Sequence, residues 1–187
     1  MRMAPILALL AGMVASSALL AQVVDELAAA RAALRSGDTV AAAVAVDRHL
    51  ARNPKDPRGR FLKGVILTEQ GSSGEAFDVF FVLTQDHPEF AEPYNNLAVI
   101  YAARGEYARA RELLESAIRV NPEYATAFEN LGDIYARLAS QAYEKAAKLD
   151  TASRAAHVKL ALARDLMNVS PKPRPADAAS APPPRRN

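Results

Sequence analysis

Glu129 and Asp133 are the residues whose spacing comes closest to a chemical site. They lie four residues apart, about one turn of an α-helix, so the two carboxylates could bind a cation together or act as an acid and base pair. The sequence offers them neither a third ligand nor a nucleophile, and the competing interpretation is an acidic helix face in water.

The three histidines and the short glycine pair give no stronger signal. His49, His87 and His157 each lack a second ligand three or four residues away, which is the spacing that would place two ligands on one helix face. The segment Gly71–Gly74 is too short for a phosphate-binding loop. The chain has no cysteine, which excludes disulfides, thiolate metal sites and cysteine nucleophiles. The sequence therefore predicts a protein that is not an enzyme, with no cofactor and no metal site.

Helix-breaking residues repeat along the chain at a period of 34 residues. They are Gly37, Gly71 and Gly105, and Pro54, Pro88 and Pro122. A proline ends a helix because it lacks the amide donor, and a glycine accepts the backbone of a sharp turn. A fixed period of this length indicates a stacked helical array.

Residues 91–124 show how one unit is built. The apolar stripe of the first helix is Tyr94, Leu97, Ala98 and Tyr101, and that of the second helix is Ala110, Leu114 and Ala117. Gly105 lies between them, where the chain must turn, and Pro122 follows the second helix. Two helices cannot bury both stripes alone, so neighbouring units must stack.

These features resemble the tetratricopeptide repeat family. Its pattern is an aromatic residue, Leu-Gly and Tyr in helix A, then Ala, an aromatic residue, Ala and Pro in helix B. The third unit fits with Ala98 and Leu114 as its departures. The resemblance implies an all-α fold, an α-solenoid of antiparallel helix pairs with about 3.5–4 repeats and a capping helix.

The resemblance divides residues 22–168 into repeats. They run over about 23–56, 57–90, 91–124 and 125–153, followed by a capping helix over 154–168. In the second unit Arg60 and Lys63 stand where apolar residues are expected, so its register is open, and Phe61, Leu62 and Val65 are alternative packing residues. Ser153 is expected to cap the last helix.

The fourth repeat is altered. Phe128, Leu131, Gly132 and Tyr135 restate the helix A stripe, but about five residues, including the turn glycine, are then missing. The alternatives are a very tight turn and one long helix from about Ala125 to Leu149. We favour the long helix, because no glycine or proline lies between Gly132 and the tail.

Both ends of the chain differ from the repeats. Residues 1–21 are typical of a cleaved signal peptide, with Arg2, an apolar stretch over 6–15 and small residues before Ala18 and Ala21. The alternative is an uncleaved anchor, since residues 3–24 carry no charge. Residues 169–187 are predicted to form a disordered, proline-rich basic tail that solubilises the chain or contacts an anionic lipid or polymer.

The net charge of +2 comes from these two ends. The tail alone contributes +3, through Lys172, Arg174, Arg185 and Arg186 against Asp177, and Arg2 adds one more. Residues 22–168 are therefore slightly negative, and we expect no nucleic-acid partner.

The family resemblance also implies a binding surface, because helices A line a concave groove. Carried over by position, the protein-binding residues are Arg58, Phe61, Leu62, Val65, Asn95, Asn96, Val99, Glu129, Asn130 and Asp133, with Glu92 beside them. Relatives that bind a C-terminal carboxylate have Lys or Arg where this chain has Phe61, Val65 and Thr126, so that mode is not expected. The groove is predicted to be apolar at one end and mildly acidic at the other, which suits a partner with an apolar anchor and basic residues.

Asn96 and Asn130 share one repeat position, 34 residues apart. An asparagine side chain both donates and accepts hydrogen bonds, so it can pair with an extended peptide backbone. The equally weighted alternative is that these asparagines pack neighbouring repeats together.

The resulting prediction is an exported, periplasmic adaptor or scaffold that binds envelope proteins through the groove and supports assembly of an envelope complex. The composition, rich in alanine and arginine, indicates a bacterium. The alternative is a structural protein anchored in the inner membrane and facing the periplasm, which self-associates and contacts the cell wall or lipid through its basic tail. The sequence leaves the oligomeric state open.

Overall fold

A computed structural model describes residues 25–169, which form eight α-helices. The helices are α1 (Glu26–Arg35), α2 (Thr39–Arg52), α3 (Pro57–Glu69), α4 (Ser73–Asp86), α5 (Ala91–Ala103), α6 (Tyr107–Val120), α7 (Ala125–Leu149) and α8 (Arg154–Val169). The predicted signal peptide and residues 170–187 of the predicted tail lie outside the described residues. None of the helices within 25–169 combines the length and the apolar character needed to cross a membrane.

Aspartates and glycines set the ends of the helices. The Asp25, Asp38 and Asp56 carboxylates accept hydrogen bonds from backbone amides in the first turns of α1, α2 and α3, which stabilises helix N-termini. Gly37, Gly71 and Gly105 have φ values of 79°, 79° and 76°. This left-handed conformation strains any residue with a Cβ, so the structure confirms the turns predicted from the glycine period.

The helices pair in chain order and the pairs stack. α1 packs on α2, α3 on α4 and α5 on α6, and each second helix packs on the first helix of the next pair. The first helices also touch, α1 with α3 and α5 with α7. Residues 25–169 therefore form the all-α solenoid that the sequence predicts, with its core between the helix layers.

The second pair is packed through α3. Phe61, Leu62 and Val65 are buried, which confirms the alternative that these residues take over the packing of this helix. Arg60 and Lys63 instead form ion pairs of 2.8 Å with Asp86 and Asp47. The core positions of α3 are therefore shifted from the family pattern, and the two cations stay at the surface.

The fourth repeat contains one unbroken helix. α7 has 25 residues without a turn, which confirms the fused-helix prediction. α8 packs along α7, with the Lys159 ammonium 5.7 Å from the centre of the Tyr143 ring. Ser153 Oγ accepts a hydrogen bond from the Ala156 amide at 3.3 Å, the cap expected for this helix.

Candidate protein-binding groove

The candidate binding surface lies on the helices that come first in each repeat. We call the surface formed by α3, α5 and the first half of α7 the A-helix surface; it carries every residue that the sequence predicts for binding. α5 and α7 are in direct contact, so the residues of the third and fourth repeats on this surface are neighbours. The structure brings Asn130 of the fourth repeat against Asn95 of the third, and Glu129 and Asp133 lie on the same helix as Asn130.

The asparagines form a buried network between two repeats. Asn130 Nδ2 donates to Asn95 Oδ1 at 2.8 Å, and Asn95 Nδ2 lies 3.3 Å from Asn96 Oδ1 as a further donor. All three side chains are buried, and buried amides are stabilised when they bind one another. This geometry supports the interpretation that asparagines pack neighbouring repeats, and their contact with a partner stays a prediction.

The structure corrects the expected position of the apolar end of the groove. Phe61 is only 2% exposed, and its ring centre lies 5.2 Å from Phe90 and 5.7 Å from Phe80. Leu62 lies in the cluster between α1, α2 and α3, and Val65 lies in the same cluster as Phe61. These three residues fill the core, while Arg60 and Lys63 form ion pairs, so Phe61, Leu62 and Val65 offer a partner little apolar surface.

The acidic end of the surface is accessible. Glu129 is exposed and Asp133 is half-buried, one turn apart on α7, and Val99 on α5 is half-buried. Arg58, at the start of α3, is exposed at the other end. The charges that a partner meets are therefore acidic at the fourth repeat and basic at the second.

Glu92 adds a carboxyl that is almost fully buried. It lies in the first turn of α5 and is 3% exposed. Burial raises the pKa of Glu92, partly offset by a hydrogen bond from its own backbone amide, because desolvation disfavours the charged form. The sequence does not indicate this burial, because both the residue type and the position in the first turn of a helix are typical of an exposed carboxylate.

The histidines have structural surroundings. His49 Nε2 lies 2.7 Å from Asp56 Oδ2, and Asp56 caps α3. His87 faces Glu89, and His157 Nε2 lies 3.1 Å from the Thr151 carbonyl oxygen. Across residues 25–169, no three acidic or histidine side chains are grouped closely enough to hold a metal ion.

The stacked pairs of antiparallel helices place this molecule among the helical-repeat solenoids. Two family models match it, one described as tetratricopeptide repeat over residues 27–89 and one described as TPR repeat over residues 100–138. The chain belongs to the tetratricopeptide repeat family, whose members generally mediate protein–protein interactions as scaffolds.

Similar proteins include both larger enzymes and a small repeat protein. The human protein O-mannosyl-transferase TMTC1 is 34% identical over 80 residues, covering 41% of this chain and 9% of that protein. A mutant O-GlcNAc transferase of Thermobaculum terrenum is 29% identical with a TM-score of 0.55, over 62% of this chain and 22% of the other. TTC0263, a thermophilic TPR protein of Thermus thermophilus, is 24% identical with a TM-score of 0.59, over 76% and 81% of the two chains. This chain therefore spans only a small part of the two transferases.

Proposed function

We propose that this protein is an exported adaptor of the bacterial envelope that binds partner proteins through the A-helix surface and supports assembly of an envelope complex. The observation that carries the proposal is the accessible acidic pair, Glu129 and Asp133, next to α5 on the surface that this family uses for binding.

The preferred partner is an extended segment with basic residues. Glu129 and Asp133 would attract a lysine or arginine, and the half-buried Val99 on the neighbouring α5 would offer a small apolar contact. Exposed charges of this kind steer association and set specificity, and they add little affinity. Binding should therefore weaken as salt rises, because salt screens exposed charges.

Capture of partners from an envelope extract tests the surface. The bait carrying Glu129→Gln and Asp133→Asn removes both accessible carboxylates and keeps the side-chain shapes. The matched control carries Glu75→Gln and Glu112→Gln, which neutralise two exposed carboxylates on α4 and α6. Cross-linked partners that the control retains and the groove variant loses support the proposal. Identical partners on both baits would place binding elsewhere.

Export is tested separately. The support for it is the pattern of residues 1–21, which lie outside the described part of the chain. Mass spectrometry of the protein from a periplasmic fraction should find an N-terminus after Ala18 or Ala21. Recovery of residues 1–21 in the membrane fraction would favour the tethered structural protein instead.

A further inference from the structure

An uncharged apolar strip runs along one face of α7. Its residues are Ala125, Phe128, Gly132, Tyr135, Ala139, Ala142, Tyr143 and Ala146. At about 100° per residue, all of them lie within about 60° of a line through Ala139. Phe128 is 50% exposed and Tyr135 is 49% exposed, so much of this strip faces solvent. We call it the α7 strip.

The first half of the α7 strip contains the helix A positions of a repeat, and the second half contains the helix B positions. Phe128, Gly132 and Tyr135 occupy the helix A positions that Tyr94, Ala98 and Tyr101 occupy in the third repeat, and Ala139, Tyr143 and Ala146 have the spacing of Ala110, Leu114 and Ala117. In the third repeat these two sets meet in one core cluster, because α5 and α6 form a hairpin. On α7 they lie end to end.

The second repeat shows the contact that such a pair makes. A methyl group placed on Gly64 would come within 2.5 Å of the Phe80 ring, so the aromatic ring of helix B seats directly on the glycine of helix A. The equivalent residues of the fourth repeat are Gly132 and Tyr143. They are 11 residues apart on one straight helix, about 16 Å at 1.5 Å per residue, and therefore cannot meet.

The seat on Gly132 is open. Among the described residues, and apart from its chain neighbours and the adjacent backbone of α7, no atom lies within 4 Å of a methyl group placed there. The chain thus keeps both the glycine and the aromatic residue of this contact, but the fused helix holds them apart.

We propose that the α7 strip pairs with the α7 strip of a second copy of this chain, antiparallel and about a two-fold axis near residue 137. This arrangement sets Gly132 of one copy opposite Tyr143 of the other. It also sets Phe128 opposite Ala146 and Tyr135 opposite Ala139, and the two-fold axis makes every contact twice. The corresponding residues of the third repeat lie in or against one core cluster. The residues of the strip are themselves uncharged; the charged groups beside them are Lys159, over the Tyr143 ring, and Glu115, which accepts a hydrogen bond from the Tyr135 hydroxyl.

Sedimentation equilibrium of the full chain tests the pairing, with Gly132→Gln as the disrupting variant. The added side chain enters open space in a single copy, but it occupies the seat that Tyr143 of a second copy would need. Gly74→Gln is the matched control, because Gly74 is also helical and its Cβ position is also open. We expect a dimer for the parent and the control, and at least a tenfold weaker dimer for Gly132→Gln. A monomeric parent, or equal association of all three proteins, overturns the proposal.

Engineered disulfides test the geometry independently, since the chain has no cysteine. Phe128→Cys with Ala146→Cys places two thiols 18 residues apart on α7, about 27 Å within one copy, and opposite each other in the antiparallel pair. Mild oxidation should give a covalent dimer, while Phe128→Cys alone should stay uncrosslinked. A disulfide within one monomer would show that α7 folds back into its own hairpin, and free thiols would show no pairing. Either result overturns the proposal.

Discussion

Asn130 on α7 donates a 2.8 Å hydrogen bond to Asn95 on α5, and both side chains are buried. The bond joins the first helices of the third and fourth repeats, which lie next to each other in the array. This polar link adds to the apolar packing of α7 on α6, in which Ala127 and Ile134 share a core cluster with Leu114.

Removing either side of this bond should destabilise the protein. Each of the substitutions Asn95→Ala and Asn130→Ala removes one partner of this hydrogen bond and leaves the other amide buried. The free energy of unfolding should fall by about 1–3 kcal/mol. The double variant should cost less than the sum of the two, because residues in direct contact are coupled. Urea unfolding measures all three, with the exposed Asn168→Ala as control. Strict additivity would show that the bond contributes little.

The seat of Phe80 on Gly64 predicts opposite effects for two glycine substitutions. Gly64→Ala forces a methyl group to within 2.5 Å of the Phe80 ring and should destabilise by about 1–3 kcal/mol, as overpacking does. Gly74→Ala meets no described atom and should be neutral or stabilise by up to about 1 kcal/mol, because alanine favours helix. Thermal unfolding distinguishes the two.

A compensating substitution makes the same test sharper. Adding Phe80→Leu to Gly64→Ala recreates the Ala98 and Leu114 combination of the third repeat. The double variant should recover part of the lost stability. If Phe80→Leu worsens the Gly64→Ala protein, the loss has another cause.

Glu92→Gln should stabilise the protein at neutral pH. Burial raises the pKa of Glu92 above its ordinary value of 4.5, so the folded state holds the proton more tightly than the unfolded state. The contribution of Glu92 to the free energy of unfolding is therefore fully present below pH 4.5 and is lost as the pH rises through the pKa of this group in the folded state. The gain from Glu92→Gln should be largest at pH 7 and should shrink at pH 4. Urea unfolding at both pH values, with the exposed Glu123→Gln as control, checks the sign.

Gly105→Ala should destabilise the turn between α5 and α6. Gly105 has a φ of 76°, and a Cβ in this left-handed conformation costs about 1–2 kcal/mol. Gly105→Asn should cost less, because asparagine tolerates this conformation better than alanine does. Thermal unfolding of the two variants should therefore rank alanine below asparagine, and the reverse order would contradict the backbone explanation.

Local signals in the sequence were sufficient for the fold. The period of the turn glycines predicted the helix pairs, and the missing turn after Gly132 predicted the fused α7, because both depend on backbone conformation. The position of Phe61 and Leu62 depends instead on which side of α3 meets its neighbours. α3 is buried on several sides, so a pattern carried over by position alone placed these residues on the wrong side. The bond between Asn95 and Asn130 joins two different positions of adjacent repeats, and a search for identical positions could not find it.

The continuity of α7 also has a mechanical consequence. A regular fourth repeat would have a glycine turn between its two helices, and the chain could bend at that turn. α7 has 25 residues and no such turn, so it is one continuous rigid helix of about 37 Å at 1.5 Å per residue. A tilt of about 5° at Asn130 would displace Leu149, which lies 19 residues further along α7 and so about 28 Å away, by about 2.5 Å. A movement imposed on Glu129 and Asp133 would therefore reach α8, which packs along α7.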